Sequence, residues 1–205
     1  MKPDQSQAAI YQLLSYFSAF IPLSRVEKDL LVSKVQWKRF RKHQFVLQEG
    51  DVCRQINFVI SGCLRTYKID EQGNIHILQF AIENSWINDL GSFHSFVPST
   101  LNIDALEDTE VLQISYENLI SLYTEAPKFD KVFRVLIENA YIGLQKRLLL
   151  NISSTAEERF RSFSETYPNL TNRLSQVQIA AYLGVSPEFL SRLRSKAAKS
   201  SSPKP

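Results

Sequence analysis

Apolar positions in the first thirty residues recur at a helical period. They predict a helix around Ile10 to Phe20, and Ser24 with Glu27 forms a capping box that opens a second helix toward Lys34. From Trp37 the texture changes to short β-rich segments: FVL (45–47), QINFVI (55–60), CLRTYKI (63–69), IHILQFAI (75–82), LNIDAL (101–106) and EVLQI (110–114). Gly50-Asp51, Ser61-Gly62 and Gln72-Gly73-Asn74 punctuate them as turns. Strands of this length and spacing predict a sandwich or barrel-like β domain. After Pro127 the helical period returns. Phe129, Phe133, Leu136, Ala140 and Leu144 continue to Leu148 as one stripe, widened by Val132, Ile137 and Leu149, on a helix ending near Asn151. Such a stripe suits a helix–helix dimer seam; the alternative is a long helix packed wholly on its own domain. Thr155 with Glu158 caps a further helix, with Ala156, Phe160, Phe163 and Tyr167 inward and Pro168 at its end.

The last periodic stretch, LSQVQIAAYLGVSPEFLSRLRSK (174–196), reads as two short helices hinged at one glycine. Val177, Ile179, Ala180 and Leu183 give the first an inner face, and Gly184 supplies the left-handed residue that ends it. Ser186 is an N-cap and Pro187 a first helical residue, and Phe189, Leu190 and Leu193 face inward. This is the sequence form of a helix-turn-helix, whose second helix enters the DNA major groove. The outward residues Glu188, Ser191, Arg192 and Ser195 fit base-edge chemistry. Arg192 can fork onto guanine O6 and N7, Glu188 can accept from cytosine N4, and Ser191 can serve either base. A hairpin with a merely solvated charged face is the bland alternative, and capping and spacing fit it less well.

Composition adds exclusions more than assignments. The 205 residues are 44% hydrophobic and 22% charged, an ordinary globular balance, and the net charge of +3 is too small to mark a nucleic-acid binder. Its distribution says more: from Pro187 on, Arg192, Arg194, Lys196, Lys199 and Lys204 face a single acid, Glu188. Cys53 and Cys63 make neither a disulfide framework nor a metal set, so no metal is expected. His43, His76 and His94 lack ligand spacing or a nucleophile motif, and there is no phosphate-binding glycine loop; no catalytic residue and no cofactor is expected. No apolar run approaches the roughly 18 residues of a membrane span, and MKPDQSQAA lacks the order of a signal peptide. A cytoplasmic protein without membrane contact is expected.

The order helix, β-roll, long helix, helix, helix-turn-helix resembles the Crp/Fnr family of bacterial transcription regulators over nearly the whole chain. FVLQEGDVCRQINFVISGCLRTYKIDEQG (45–73) is similar to the family's β-roll, and ERFRSFSETYP with the 174–196 stretch to its post-hinge helix and DNA reader. E-F-L-S-R (188–192) resembles the E-x-x-S-R of the fumarate/nitrate-regulator branch. The resemblance implies base contacts for Glu188, Ser191 and Arg192 within a reader comprising Ser186, Pro187, Ser195 and Lys196 as well. It departs at the ligand site. Cyclic-nucleotide-binding members carry G-E-L and then R-S/T-A, whose arginine holds the cyclic phosphate. Here Asn88-Asp89-Leu90 and Ser99-Thr100-Leu101 stand in those places. A serine cannot replace a bidentate guanidinium, so cyclic AMP is not the expected ligand unless Arg65 or a second subunit supplies the charge. The iron–sulfur branch's N-terminal cysteine cluster is missing, and no histidine is marked out as a haem ligand.

The fold expected is α+β: a cyclic-nucleotide-binding-like β-roll with N-terminal helices (1–126), a dimerisation helix (127–152) and a C-terminal winged helix-turn-helix (153–205). The function expected is that of a homodimeric regulator binding a specific site on double-stranded DNA. Contact with RNA polymerase and an unidentified small-molecule effector are further partners the resemblance allows. The alternatives are a β-roll sensor of small molecules or proteins without DNA readout, and a DNA reader whose β-roll responds to nothing.

Overall fold

The computed structural model describes residues 3–200, with side chains from Ser6 to Ser195. Two helices, α1 (Pro3–Ser18) and α2 (Arg25–Lys34), precede the strands β1 (Gln36–Phe40), β2 (Phe45–Leu47), β3 (Gln55–Ser61), β4 (Leu64–Ile69), β5 (Ile75–Ala81) and β6 (Trp86–Ile87). A short helix α3 (Leu90–Ser95) leads to β7 (Asn102–Ala105) and β8 (Thr109–Ser115). Helices α4 (Tyr116–Glu125), α5 (Lys128–Ser153), α6 (Ala156–Thr166), α7 (Gln176–Leu183) and α8 (Pro187–Ser200) follow. The strands form two four-stranded sheets, ordered β1-β8-β3-β6 and β2-β7-β4-β5. Every predicted strand is present. Elements β1, β6, α3 and α4 are not among the segments that the sequence pattern sets apart. No strand follows β8 among the described residues, so the hairpin expected as a wing is not found among them.

The described chain divides into two compact units, one running to Lys68 and including Leu78–Glu138, the other comprising Ile69–Ile77 and the chain from Asn139. In the first, α1 lays Ala9, Leu13 and Phe17 against the outer face of the β1-β8-β3-β6 sheet, where Phe58, Trp86 and the start of α5 complete an aromatic cluster. Phe17 meets Phe129 at 5.4 Å and Phe133 at 5.6 Å between ring centres, distances at which edge and tilted pairs attract. Ser24 accepts from the Glu27 amide while Glu27 accepts from the Ser24 amide, so the predicted box opens α2. At the β3–β4 turn Gly62 has φ +98°, and an added Cβ would lie 2.6 Å from the Asp108 carbonyl oxygen. Only glycine fits there.

In the second unit, Thr155 and Glu158 cap α6 and Ser175 and Gln178 cap α7, each by a reciprocal box. Phe163, Leu170, Leu174, Ile179, Ala180, Leu183, Leu190 and Leu193 are its buried core. Arg147 of α5 donates to the carbonyls of Ile77 (2.8 Å) and Tyr182 (2.9 Å), and its guanidinium carbon lies 3.8 Å from the centre of the Tyr182 ring. One side chain thus ties the tip of the β4–β5 hairpin, the long helix and the end of α7 within this unit.

Candidate nucleic-acid interface and effector pocket

Helix α7 ends at Gly184, which adopts φ +67° and donates its N–H to the Ala180 carbonyl. Ser186 then accepts from the Phe189 amide at 3.2 Å, and α8 starts at Pro187, whose missing N–H leaves no donor unmet. Leu190 and Leu193 turn into the core, which leaves Glu188, Ser191, Arg192 and Ser195 exposed on the opposite side. These four predicted reader residues share one outward face. Phe189 differs from expectation: it is 38% exposed, with Arg192 5.7 Å from its ring centre, because Leu190 and Leu193 already fill the inner side. Val177 is likewise exposed, while Ile179, Ala180 and Leu183 carry the packing of α7. The Lys196 side chain lies outside the described residues. Glu188's own amide, the Ser186 hydroxyl and nearby Arg192 hold its carboxyl below the usual carboxylate range, so it is charged at neutral pH. Ser195 Oγ donates to the Ser191 carbonyl at 3.1 Å, as a serine does when no other acceptor is near.

In the β-roll, Asp89 caps α3 with one oxygen, Oδ1, which accepts from the Gly91 and Ser92 amides at 3.0 and 3.2 Å. The other, Oδ2, accepts from Ser99 Oγ at 2.7 Å. Ser99 is 3% exposed and pinned by backbone bonds to the β2–β3 turn, with its amide on Asp51 O and its carbonyl on the Gly50 amide, both 2.8 Å. Asn88 is half-buried with Nδ2 lacking an acceptor, whereas Leu90 and Thr100 are exposed. The structure therefore brings Asp89 and Ser99 together and leaves Leu90 and Thr100 facing water. Arg65 is committed elsewhere: its Nε and Nη2 donate to the two Asp104 oxygens at 2.7 and 2.9 Å, and it stacks 4.2 Å from the Tyr67 ring centre. Burial works against the Arg65 charge, and the hydrogen bond and charge of Asp104 outweigh it, so its pKa rises further. Asp104 escaped the sequence reading, although a carboxylate inside the apolar run LNIDAL is a signal that a partner cation must be near.

The expected seam divides in two. Phe129 and Phe133 are 0% and 6% exposed in the core of their own unit, and Leu136 is half-buried against it, so these three offer less surface to a partner than the residues that follow. The reason is Phe17, whose ring takes the same side of α5. Ala140 and Leu144 remain exposed, and so do Ile137, Tyr141 and Leu148. Among the described residues no group of three His, Cys, Asp or Glu is placed to hold a metal ion, and no helix is long and apolar enough to cross a membrane.

A β-roll, a long helix and a capped helix-turn-helix in this order define a regulator of the Crp/Fnr type, and the chain belongs to that family. Residues 37–126 match the cyclic nucleotide-binding domain. The fumarate and nitrate reduction regulatory protein of Vibrio cholerae serotype O1 is 31% identical over 197 residues, 87% of this chain and 75% of the relative. The transcriptional activator protein anr of Pseudomonas aeruginosa is 27% identical over 190 residues, 84% of this chain and 76% of that one. Among solved structures, FixK2 from Bradyrhizobium japonicum shares the fold with a TM-score of 0.72 at 20% identity, covering 81% of this chain and 85% of its own. The first two are named as regulatory proteins, one of them a transcriptional activator.

Proposed function

We propose that the protein is a homodimeric, cytoplasmic regulator that reads a specific duplex DNA site with α8 and does not respond to cyclic AMP. The observation that carries the reading is the two-sided character of α8. Leu190 and Leu193 anchor it, and Glu188, Ser191, Arg192 and Ser195 project together from the far side. Those side chains are the donors and acceptors that major-groove edges recognise. The dimer rests on Ile137, Tyr141, Leu144 and Leu148, exposed apolar residues spaced four, three and four apart, as a two-helix seam requires. The reading on cyclic AMP rests on Asp89 and Ser99, which bond to each other and offer a phosphate no cation, and on Arg65, which is paired with Asp104. Any RNA polymerase contact would then depend on where on DNA the dimer sits.

Selection of bound sequences from a random duplex pool tests this. A two-fold symmetric site with half-sites about one helical turn apart, bound more weakly as salt rises, is the expected result. Failure to enrich any sequence would leave a β-roll sensor without DNA readout as the better account. Titration calorimetry with cyclic AMP should show no saturable heat.

A further inference from the structure

The packing of α8 leaves one aromatic ring partly in water. Phe189 lies in the first turn of the helix, two residues after Pro187, and its amide donates to Ser186 Oγ at 3.2 Å, which fixes how the helix begins. Leu190 and Leu193 fill the inner side at 0% and 8% exposure, and the Phe189 side chain is left 38% exposed. It is the one large apolar side chain of α8 that is exposed among the described residues. With about 3.6 residues per turn, Phe189 falls on the flank of the outward face, on the side of Arg192 and away from Ser191. The contact agrees. The Arg192 guanidinium carbon is 5.7 Å from the ring centre, within the range at which a cation and an aromatic face attract. Ring and guanidinium therefore stand side by side at the edge of the reading face.

The other outward residues show what the ring adds. Glu188, Ser191, Arg192 and Ser195 offer hydrogen-bonding groups, and such groups sense the donors and acceptors of the major groove. The thymine 5-methyl is the one apolar group on those base edges, and a phenyl ring is among the side chains suited to it. Residues early in a recognition helix are those that come nearest the bases. We propose that Phe189 is a specificity-determining residue, packing on the 5-methyl group of a thymine next to the base pair met by Arg192. The proposal rests on α8 being the DNA reader and adds a base that hydrogen bonding from α8 does not select. Cytosine presents no methyl there, and adenine and guanine present N7, which the ring would leave without a hydrogen-bond partner.

The test uses the full chain and the site selected from the random duplex pool. Each thymine on either strand of a half-site is replaced in turn by deoxyuridine, which pairs identically and lacks only the methyl. At one thymine, beside the base pair where Arg192→Ala loses its preference, replacement should weaken binding about fourfold, and about fifteenfold when made in both half-sites. Phe189→Ala should bind the thymine and uracil duplexes alike, whereas Phe189→Leu, still apolar, should go on preferring thymine. With a C·G pair at that position, 5-methylcytosine should be bound about fourfold more tightly than cytosine. Wild type that tolerates uracil at every thymine, or Phe189→Ala that still prefers thymine to uracil, overturns the proposal and leaves the DNA reading standing. If the pool yields no enriched sequence, the DNA reading itself fails and the proposal falls with it.

Discussion

Leu144→Glu should turn the proposed dimer into folded monomers. Leu144 is 61% exposed in the protomer, flanked along the seam by Tyr141 at 60% and Leu148 at 56%. Full burial of a leucine contributes about 1.5–3 kcal/mol, so the exposed share offers about 1–2 kcal/mol from each protomer and about 2–4 kcal/mol per dimer. The substitution removes that and sets two carboxylates against each other. Dimer dissociation should rise by at least roughly 30- to 700-fold, since each 1.4 kcal/mol is tenfold. Sedimentation velocity over a concentration series reads the shift, and an unchanged thermal melt of the monomer excludes unfolding. Phe129→Ala is the matched control. Its ring is fully buried against Phe17, so the change should cost about 3–5 kcal/mol of folding stability and leave association at the seam intact. A wild-type chain that sediments as a monomer at micromolar concentration would refute the reasoning. So would a Leu144→Glu protein that dimerises like wild type.

Arg192→Ala should cost about 1–3 kcal/mol on the selected site and relax preference at one base pair; equal loss on every single-position variant of the site would make Arg192 a backbone contact instead. Asp104→Ala strands the Arg65 guanidinium, whose side chain is only 13% exposed, and should lower the urea-derived stability by about 3–5 kcal/mol. Replacing both partners with apolar residues should recover much of that loss, and a single-variant loss below about 1 kcal/mol would show that the pair is not buried in solution. Glu27 is held down to about 2 from its ordinary 4.5, first by the hydrogen bond from Lys128 and then by the Ser24 amide. Because the folded value is depressed, its contribution is present above 4.5 and is lost as pH falls toward 2; the urea midpoint of Glu27→Gln should therefore drop less over that interval than that of wild type.

Local chemistry made most of the elements legible. The boxes Ser24–Glu27, Thr155–Glu158 and Ser175–Gln178 are satisfied within four residues, and Gly184 ends α7 by its own conformational freedom. What local pattern cannot carry is the choice among equivalent faces. Phe129 and Leu144 lie on one stripe of one helix, and only the arrival of Phe17 from the distant α1 decides that the first is core and the second surface. Val177 and Phe189 were assigned inward for the same reason: their spacing allows burial, and neighbouring leucines and isoleucine fill the space first. The two-residue β6 exists through its pairing of Ile87 with Asn57 and Trp86 with Phe58, which no window of sequence around it displays.

The ligand region shows a subtler limit. That Ser99 cannot replace the charge and bidentate geometry of a guanidinium follows from residue type alone, but the fate of the carboxylate opposite does not. Asp89 spends one oxygen on the first turn of α3 and the other on Ser99, and Ser99 in turn is clamped by the Gly50–Asp51 turn. A ligand entering there would have to replace those bonds and the contacts that order α3 before gaining any of its own. An anion would do so without a counter-charge, because Arg65 is already neutralised by Asp104. A serine where the resemblance would put an arginine thus does more than omit a contact: it makes an internal bond to Asp89.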